Sequence, residues 1–217
     1  MKKVSLIFIL LIGLGSISYA QTVTIGKQVW MTKNLDVATF RNGDSIPQVK
    51  TDEEWEKAGL YGQPAWCYYD NDTANGAKYG KLYNWYAVTD SRGLAPVGYH
   101  IPTSAEWTKL TDFLGGESVA GTKMKSKSGW NDYRGKSGNG TNSSGFNGLP
   151  GGFRSYSGSF YEIGYYGYWC WFSEYYWDGG WYRYLSFFKG SVVSNHRDLH
   201  DQTKESSEGF SVRCLRD

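Results

Sequence analysis

"VGYHIPTSAEWTKLTDFLGG", residues 97–116, is the stretch whose reading decides the fold. Thr103 and Glu106 stand in the T-x-x-E spacing of a capping box. There the hydroxyl accepts from the amide three residues on, and the carboxylate reaches back to the cap's own amide. Pro102 biases Ile101 toward extended backbone, so a strand should run into the cap. Trp107, Leu110, Phe113 and Leu114 recur at helical spacing and predict one apolar stripe. Gly115-Gly116 then stops the helix. A short amphipathic helix packed on a sheet follows, with Thr103, Glu106 and Trp107 as structural residues.

Outward from this helix the chain alternates short strands with turn-rich stretches. "VTIGKQVWMTKNL" (23–35) predicts strand segments around a turn at Gly26-Lys27. "TDEEWEKAG" (51–59) repeats the capping-box spacing at Thr51 and Glu54 and gives a second short helix. Residues 115–150 are rich in Gly, Ser, Asn and Lys and read as loop, with Trp130, Phe146 and Leu149 as apolar anchors. From 152 to 188 aromatics recur at nearly every second position, and Asp178-Gly179-Gly180 is a hairpin signal among them. "GFSVRCLRD" (209–217) predicts one closing strand with Phe210, Val212 and Cys214 on one face. The fold class is α+β: small twisted antiparallel sheets, two short helices and long loops rich in glycine and aromatics.

Composition narrows the class further. Residues 1–20 have a basic start at Lys2-Lys3, an apolar run, and small residues before the break at Ser18-Tyr19-Ala20, the pattern of a secretory signal peptide. Residue 21 is Gln, so the cysteine needed for lipid attachment is missing, and the apolar run is short for a membrane span. The expected product is a single exported domain, 21–217, secreted, periplasmic or on the cell surface. Without Lys2 and Lys3 the 23 basic residues fall to 21, matching 21 acidic ones. That balance argues against a nucleic-acid partner. The 3 cysteines, Cys67, Cys170 and Cys214, predict one disulfide and one odd thiol in an oxidising compartment, with the pairing open and Cys170 and Cys214 as structural candidates.

Several of these segments together resemble the Fibrobacter succinogenes major paralogous domain family of exported bacterial proteins. The matching pieces are "IGKQVWMTKNL", "WCYYDND", "YGKLYNWYAV", "GLAPVGYHIPTSAEWTKL", "LPGGFR" and "GFSVRCLRD", in order along nearly the whole mature chain. The resemblance implies a C-type-lectin-like fold, distantly similar to formylglycine-generating enzymes, and no established activity. Lys33, Tyr99 and the segment "YWCWFSEYY" (168–176) depart from the family pattern.

The candidate sites rank as follows. An oxidase of the formylglycine-generating type needs two nearby cysteines for copper, and no close pair exists in sequence. A glycan-active hydrolase needs two facing carboxylates, and Glu162, Glu174 and Asp178 are only acids among aromatics. These enzymes are the alternative reading. His196 and His200 lie in a turn-rich segment, and His100 reads as a buried, hydrogen-bonded histidine. "DNDTANG" (70–76) has a displaced glycine and Lys81 where a calcium loop requires glutamate, so it reads as a polar turn and no cofactor is expected. "WND" (130–132) lacks the partner loop of sugar-binding lectins. The aromatic segment remains: Trp169, Trp171, Tyr175, Tyr176, Trp177, Trp181, Tyr182 and Tyr184 are too many for one core face. Alternate strand residues point to opposite sides. One set is therefore expected to form an exposed platform for an extracellular glycan or protein surface, in a binding or structural module without catalysis.

Overall fold

A computed structural model of the chain describes residues 21–170, 181–196 and 207–217. The signal-like segment 1–20 and the hairpin signal at 178–180 lie outside these residues. The chain starts with a hairpin, β1 (Thr22–Ile25) and β2 (Gln28–Met31), turning at Gly26-Lys27. Next come α1 (Asp52–Leu60), β3 (Trp66–Cys67), a 3-10 turn (Tyr69–Asn71), α2 (Thr73–Tyr79), β4 (Leu82–Tyr83) and α3 (Trp85–Val88). After β5 (Tyr99–His100) come α4 (Ser104–Phe113) and α5 (Glu117–Met124). The second half is mostly strand: β6 (Gly151–Arg154), β7 (Phe160–Ile163), β8 (Tyr166–Cys170), β9 (Trp181–Ser186), β10 (Val192–His196), β11 (Ser211–Val212) and β12 (Leu215–Arg216). The architecture is α+β.

Two sheets organise the molecule. The first has the order β1-β2-β12-β5, so the last strand sits between the opening hairpin and the strand that leads into α4. The second runs β10-β9-β8-β6-β7, with β11 also paired to β8. β9 takes one edge of β8 antiparallel, while β6 and β11 share its other edge in parallel. The closing segment is thus two strands in two sheets, not one. β3 and β4 form a small separate pair.

Local sequence chemistry sets the helix starts. Both α1 and α4 begin with complete capping boxes, Thr51 with Glu54 and Thr103 with Glu106. "DNDTANG" is a turn followed by a helix: Asp72 caps α2 by accepting from Ala74 N at 2.9 Å. Trp107, Leu110 and Leu114 are buried beneath α4, but Phe113 is 65% exposed. At about 100° per residue Phe113 falls well off their stripe, and its ring lies instead on the backbone of Gly26, 3.0 Å from where a Cβ would stand. Under α4, Trp30, Trp107, Phe146 and Trp169 form one ring cluster, with centroids 4.9 Å apart for Trp30–Trp107 and 5.6 Å for Phe146–Trp169.

Buried cations hold the irregular segments to this frame. Arg213 is fully buried between β11 and β12. It donates to Met31 O at 3.0 Å, to Phe146 O, and through Nη2 to Asn34 Oδ1 at 2.7 Å. Its guanidinium stacks 4.4 Å from the Phe146 ring centroid. Asn34 in turn accepts from Trp169 Nε1 at 2.9 Å and donates to Tyr79 O at 2.8 Å. Burial pulls the Arg213 pKa down to about 9, which leaves it charged at neutral pH. Arg154, also fully buried, lies between the rings of Trp55 and Phe160. It collects Val49 O at 2.8 Å, Thr51 O at 3.0 Å and Gly158 O at 2.7 Å.

The expected disulfide is absent: Cys67, Cys170 and Cys214 are free, buried thiols. Cys67 lies in the cluster around α1, apart from the cluster that holds the other two. Cys170 is in register with Val212, and the chain has already left β11 for β12 when it reaches Cys214.

Two outcomes are expected. Arg213→Met removes the donors but keeps much of the volume, and should cost about 3 kcal/mol or more by stranding buried acceptors at ~1–3 kcal/mol each. An unchanged urea midpoint would contradict that assignment. Thiol titration without reductant should find all 3 cysteines in guanidinium and almost none in the native protein. Fewer in guanidinium would mean a bridge exists.

Candidate ligand-binding surface

The site is built on the pleat of β8 and β9. Their register sets Tyr168 opposite Tyr184, Trp169 opposite Arg183, and Cys170 opposite Tyr182. Trp169, Leu185 and Val192 bury into the ring cluster beneath α4 and α5. Arg183 joins them and pairs with Glu117 at the start of α5. The opposite face carries Tyr166, Tyr168, Tyr182 and Tyr184. Tyr166 stacks on Tyr168 at 5.7 Å and 19°, while Tyr168 meets Tyr182 edge-on at 5.5 Å.

This tyrosine face grades from core to solvent. At the inner end Tyr182 is 5% exposed and rests 4.9 Å from Phe210. Tyr166, Tyr168 and Tyr184 are half-buried. Beyond them the rings of Phe187, Phe188, Tyr165 and Tyr133 continue the array, with Tyr165–Phe187 at 5.1 Å and Tyr133–Phe188 at 5.5 Å. Phe188 is 40% exposed and Tyr165 46%. The result is an open aromatic shelf backed by a continuous stack of rings.

Only part of the platform expected in the sequence falls within the described residues. Trp169 (1% exposed) and Tyr182 are core residues, because α4 and α5 cover one face of the β8–β9 pair and Phe210 covers the inner end of the other. Trp181 opens β9 opposite His196. Trp171, Tyr175, Tyr176 and Trp177 lie outside the described residues, as do His200, Glu174 and Asp178. Of the rings that reach solvent on the shelf, Tyr165 opens the aromatic run 165–184, whereas Tyr133 and Phe188 fall outside it. The run "LSFF" across the end of β9 is the nearest signal for Phe188, and Tyr133 sits in a segment that reads as loop.

Two polar features accompany the rings. Glu162 has φ +68°, a conformation rare for a residue other than Gly, Asn or Asp. Its carboxylate accepts a short hydrogen bond from the Tyr168 hydroxyl. Burial, reinforced by Glu162, raises the Tyr168 pKa, so the phenol stays a neutral donor. Below the shelf, the buried Lys125 ammonium donates to Gly138 O at 2.7 Å, Ser186 O at 3.1 Å and Lys189 O at 3.2 Å. One cation therefore pins the loop carrying Tyr133 to the turn carrying Phe187 and Phe188. Flat ring faces beside a phenol and a carboxylate suit stacking and hydrogen bonding to a sugar.

The remaining candidates have local roles. His100 is 36% exposed, with Nδ1 2.8 Å from Asp217 Oδ1 and Nε2 3.0 Å from Glu106 Oε1. Both ring nitrogens are engaged, which fits a doubly donating imidazolium that ties β5, the α4 cap and the residue after β12 together. A cleft of about 400 Å³ lined by Arg41, Asp90 and Thr103 opens beside it. Trp130 of "WND" is buried, with its indole donating to Ser126 Oγ at 3.0 Å. The Cys170 and Cys214 thiols are sealed in the core, where burial pushes Cys214 up to about 12 and Cys170 higher still. Neither is a thiolate at neutral pH.

The Fibrobacter succinogenes major domain matches residues 23–216, and the chain belongs to that family. Comparison with curated proteins and with solved structures returned no match.

The His100 contacts make a pH prediction. Burial lowers the histidine pKa, but the Asp217 and Glu106 hydrogen bonds outweigh it and raise the value above 6.5. For Glu106, burial raises the pKa, but the Thr103 and His100 contacts bring it below 4.5. The histidine's contribution is full below 6.5 and lost as pH rises through its native value. The glutamate's is full above 4.5 and lost as pH falls through its own. His100→Gln should therefore be most destabilising, by melting temperature, between these two values and less so in alkaline buffer. A stability difference that grows with rising pH would contradict the imidazolium assignment.

Proposed function

We propose that this family member is an exported, non-catalytic module that binds extracellular polysaccharide on the shelf of Tyr133, Tyr165, Phe187 and Phe188. The observation that carries the reading is the exposure of Phe188 and Tyr165 at the open end of a packed tyrosine face. Isolated exposed rings are ordinary, but a contiguous exposed array on a sheet marks an interaction surface. The array is supported from beneath by Lys125 and by the stacked Tyr166 and Tyr168, so its rings are positioned before a ligand arrives. Export rests on the signal-like residues 1–20. Contacts of this kind need no calcium, and binding is expected to be insensitive to EDTA.

Affinity electrophoresis of the mature protein against soluble polysaccharides tests the reading. Retention should occur on at least one gel and weaken roughly tenfold or more in Phe188→Ala, the cost of truncating a central contact residue. The melting temperature should move little, since that ring is largely outside the core. Retention that survives both Phe188→Ala and Tyr165→Ala would place binding elsewhere and overturn the proposal.

A further inference from the structure

The charges around the shelf carry the argument one step further, resting on the polysaccharide reading above. Six described residues other than glycine have positive φ: Asp70, Asn71, Arg134, Asn142, Asn147 and Glu162. Four are Asp or Asn, which tolerate the left-handed region. The other two, Arg134 and Glu162, both border the shelf. Arg134 and Gly135, at φ +50° and +74°, form the tip of a two-residue turn closed by Tyr133 N to Lys136 O at 2.8 Å and Lys136 N to Tyr133 O at 3.0 Å. Positive φ at both central residues is the type I′ pattern, which favours Asn-Gly. Arginine at the first position is conformationally disfavoured there, so its side chain needs another explanation.

The guanidinium of Arg134 stands 5.2 Å from the Tyr133 ring, and Lys189 Nζ stands 5.4 Å from the Phe188 ring. Tyr133 and Phe188 are themselves in contact, so the two cations flank one pair of exposed rings. Both cations are exposed, and neither has a carboxylate partner among the described residues. Arg154 and Arg183 each have one, and Arg92 has two. Lys136 adds a third exposed cation at the base of the turn. Against them stand Asp132, exposed, and Glu162, whose carboxylate is already engaged by Tyr168. Lys125 fixes the spacing, because it binds the backbone of Lys189 itself and of Gly138 in the facing loop.

We propose that the ligand is an acidic polysaccharide, its carboxylate or sulfate groups met by Arg134 and Lys189 while its sugar rings lie on Tyr133 and Phe188. Aromatic faces alone accept neutral and acidic sugars alike. A fixed cation beside the ring is what separates them, through charge-assisted hydrogen bonds the neutral sugar cannot make. Such binding weakens as salt is added, since the contacts are at the surface.

The test uses matched probes: polygalacturonate with its carboxyl-reduced form, and dextran sulfate with dextran. The mature protein should bind at least one acidic member roughly tenfold more tightly than its neutral counterpart, an advantage that shrinks between low and high salt. Arg134→Asn combined with Lys189→Gln should remove that advantage and leave the melting temperature unchanged or raised, because asparagine suits the turn. Equal binding of both members of each pair, lost in Phe188→Ala, would overturn the acidic class while leaving the shelf as a polysaccharide site. Retention only on neutral polysaccharides, or an acidic preference that survives the double variant, would overturn the assignment to Arg134 and Lys189.

Discussion

A guanidinium sealed away from water must be surrounded by oxygen, and Arg213 draws that oxygen from segments remote in sequence. Met31, Asn34 and Phe146 all turn acceptors toward it. The constraint works in both directions. A buried charge without partners is prohibitive, and each buried carbonyl without a donor costs roughly 1–3 kcal/mol. Chain that runs through the interior as loop cannot satisfy its carbonyls by helix or sheet, and a multidentate cation does this for several at once. Arg154 performs the same service for the strand of backbone before α1, and Lys125 for the two segments that form the shelf. The rings of Phe146, Trp55 and Trp130 lie against these cations and exclude water from them.

This arrangement links the fold to the proposed binding surface. The loop with Tyr133 has no strand of its own beyond a two-residue turn, and Phe187 and Phe188 follow the end of β9. Single backbone bonds tether each to the turn before β8, Asn131 N to Gly164 O and Phe187 N to Tyr165 O, both at 2.8 Å. Lys125 joins them, and the tyrosines of β8 and β9 fill the space behind. The tyrosine face of the sheet is therefore one continuous aromatic structure, graded from Phe210 and Tyr182 inside to Phe188 and Tyr165 outside.

What the sequence made legible was what is decided locally. The Thr51–Glu54 and Thr103–Glu106 boxes need only neighbouring residues, as does the Gly26-Lys27 turn. The family resemblance, carried by six ordered segments, was equally readable. Non-local facts were not. Alternation showed that the aromatics of β8 and β9 split between two faces, but not that α4 and α5 cover the side with Trp169 or that Phe210 covers Tyr182. Arg213, Arg154 and Lys125 look in sequence like surface charges, since nothing nearby announces the carbonyls that enclose them. The Asp72 cap turned an apparent polar turn into α2. Phe113 fitted a helical spacing loosely and ended on the solvent side, over Gly26.

The most direct test of the central claim, that one preformed aromatic shelf is the binding face, is a footprint. Hydrogen–deuterium exchange of the mature protein would be followed with and without a saturating polysaccharide, polygalacturonate being the first choice. Slowed exchange is expected, confined to residues 131–136, 161–168 and 184–189. Protection centred elsewhere, for example on the exposed Leu60 and Tyr61 at the end of α1, would contradict it.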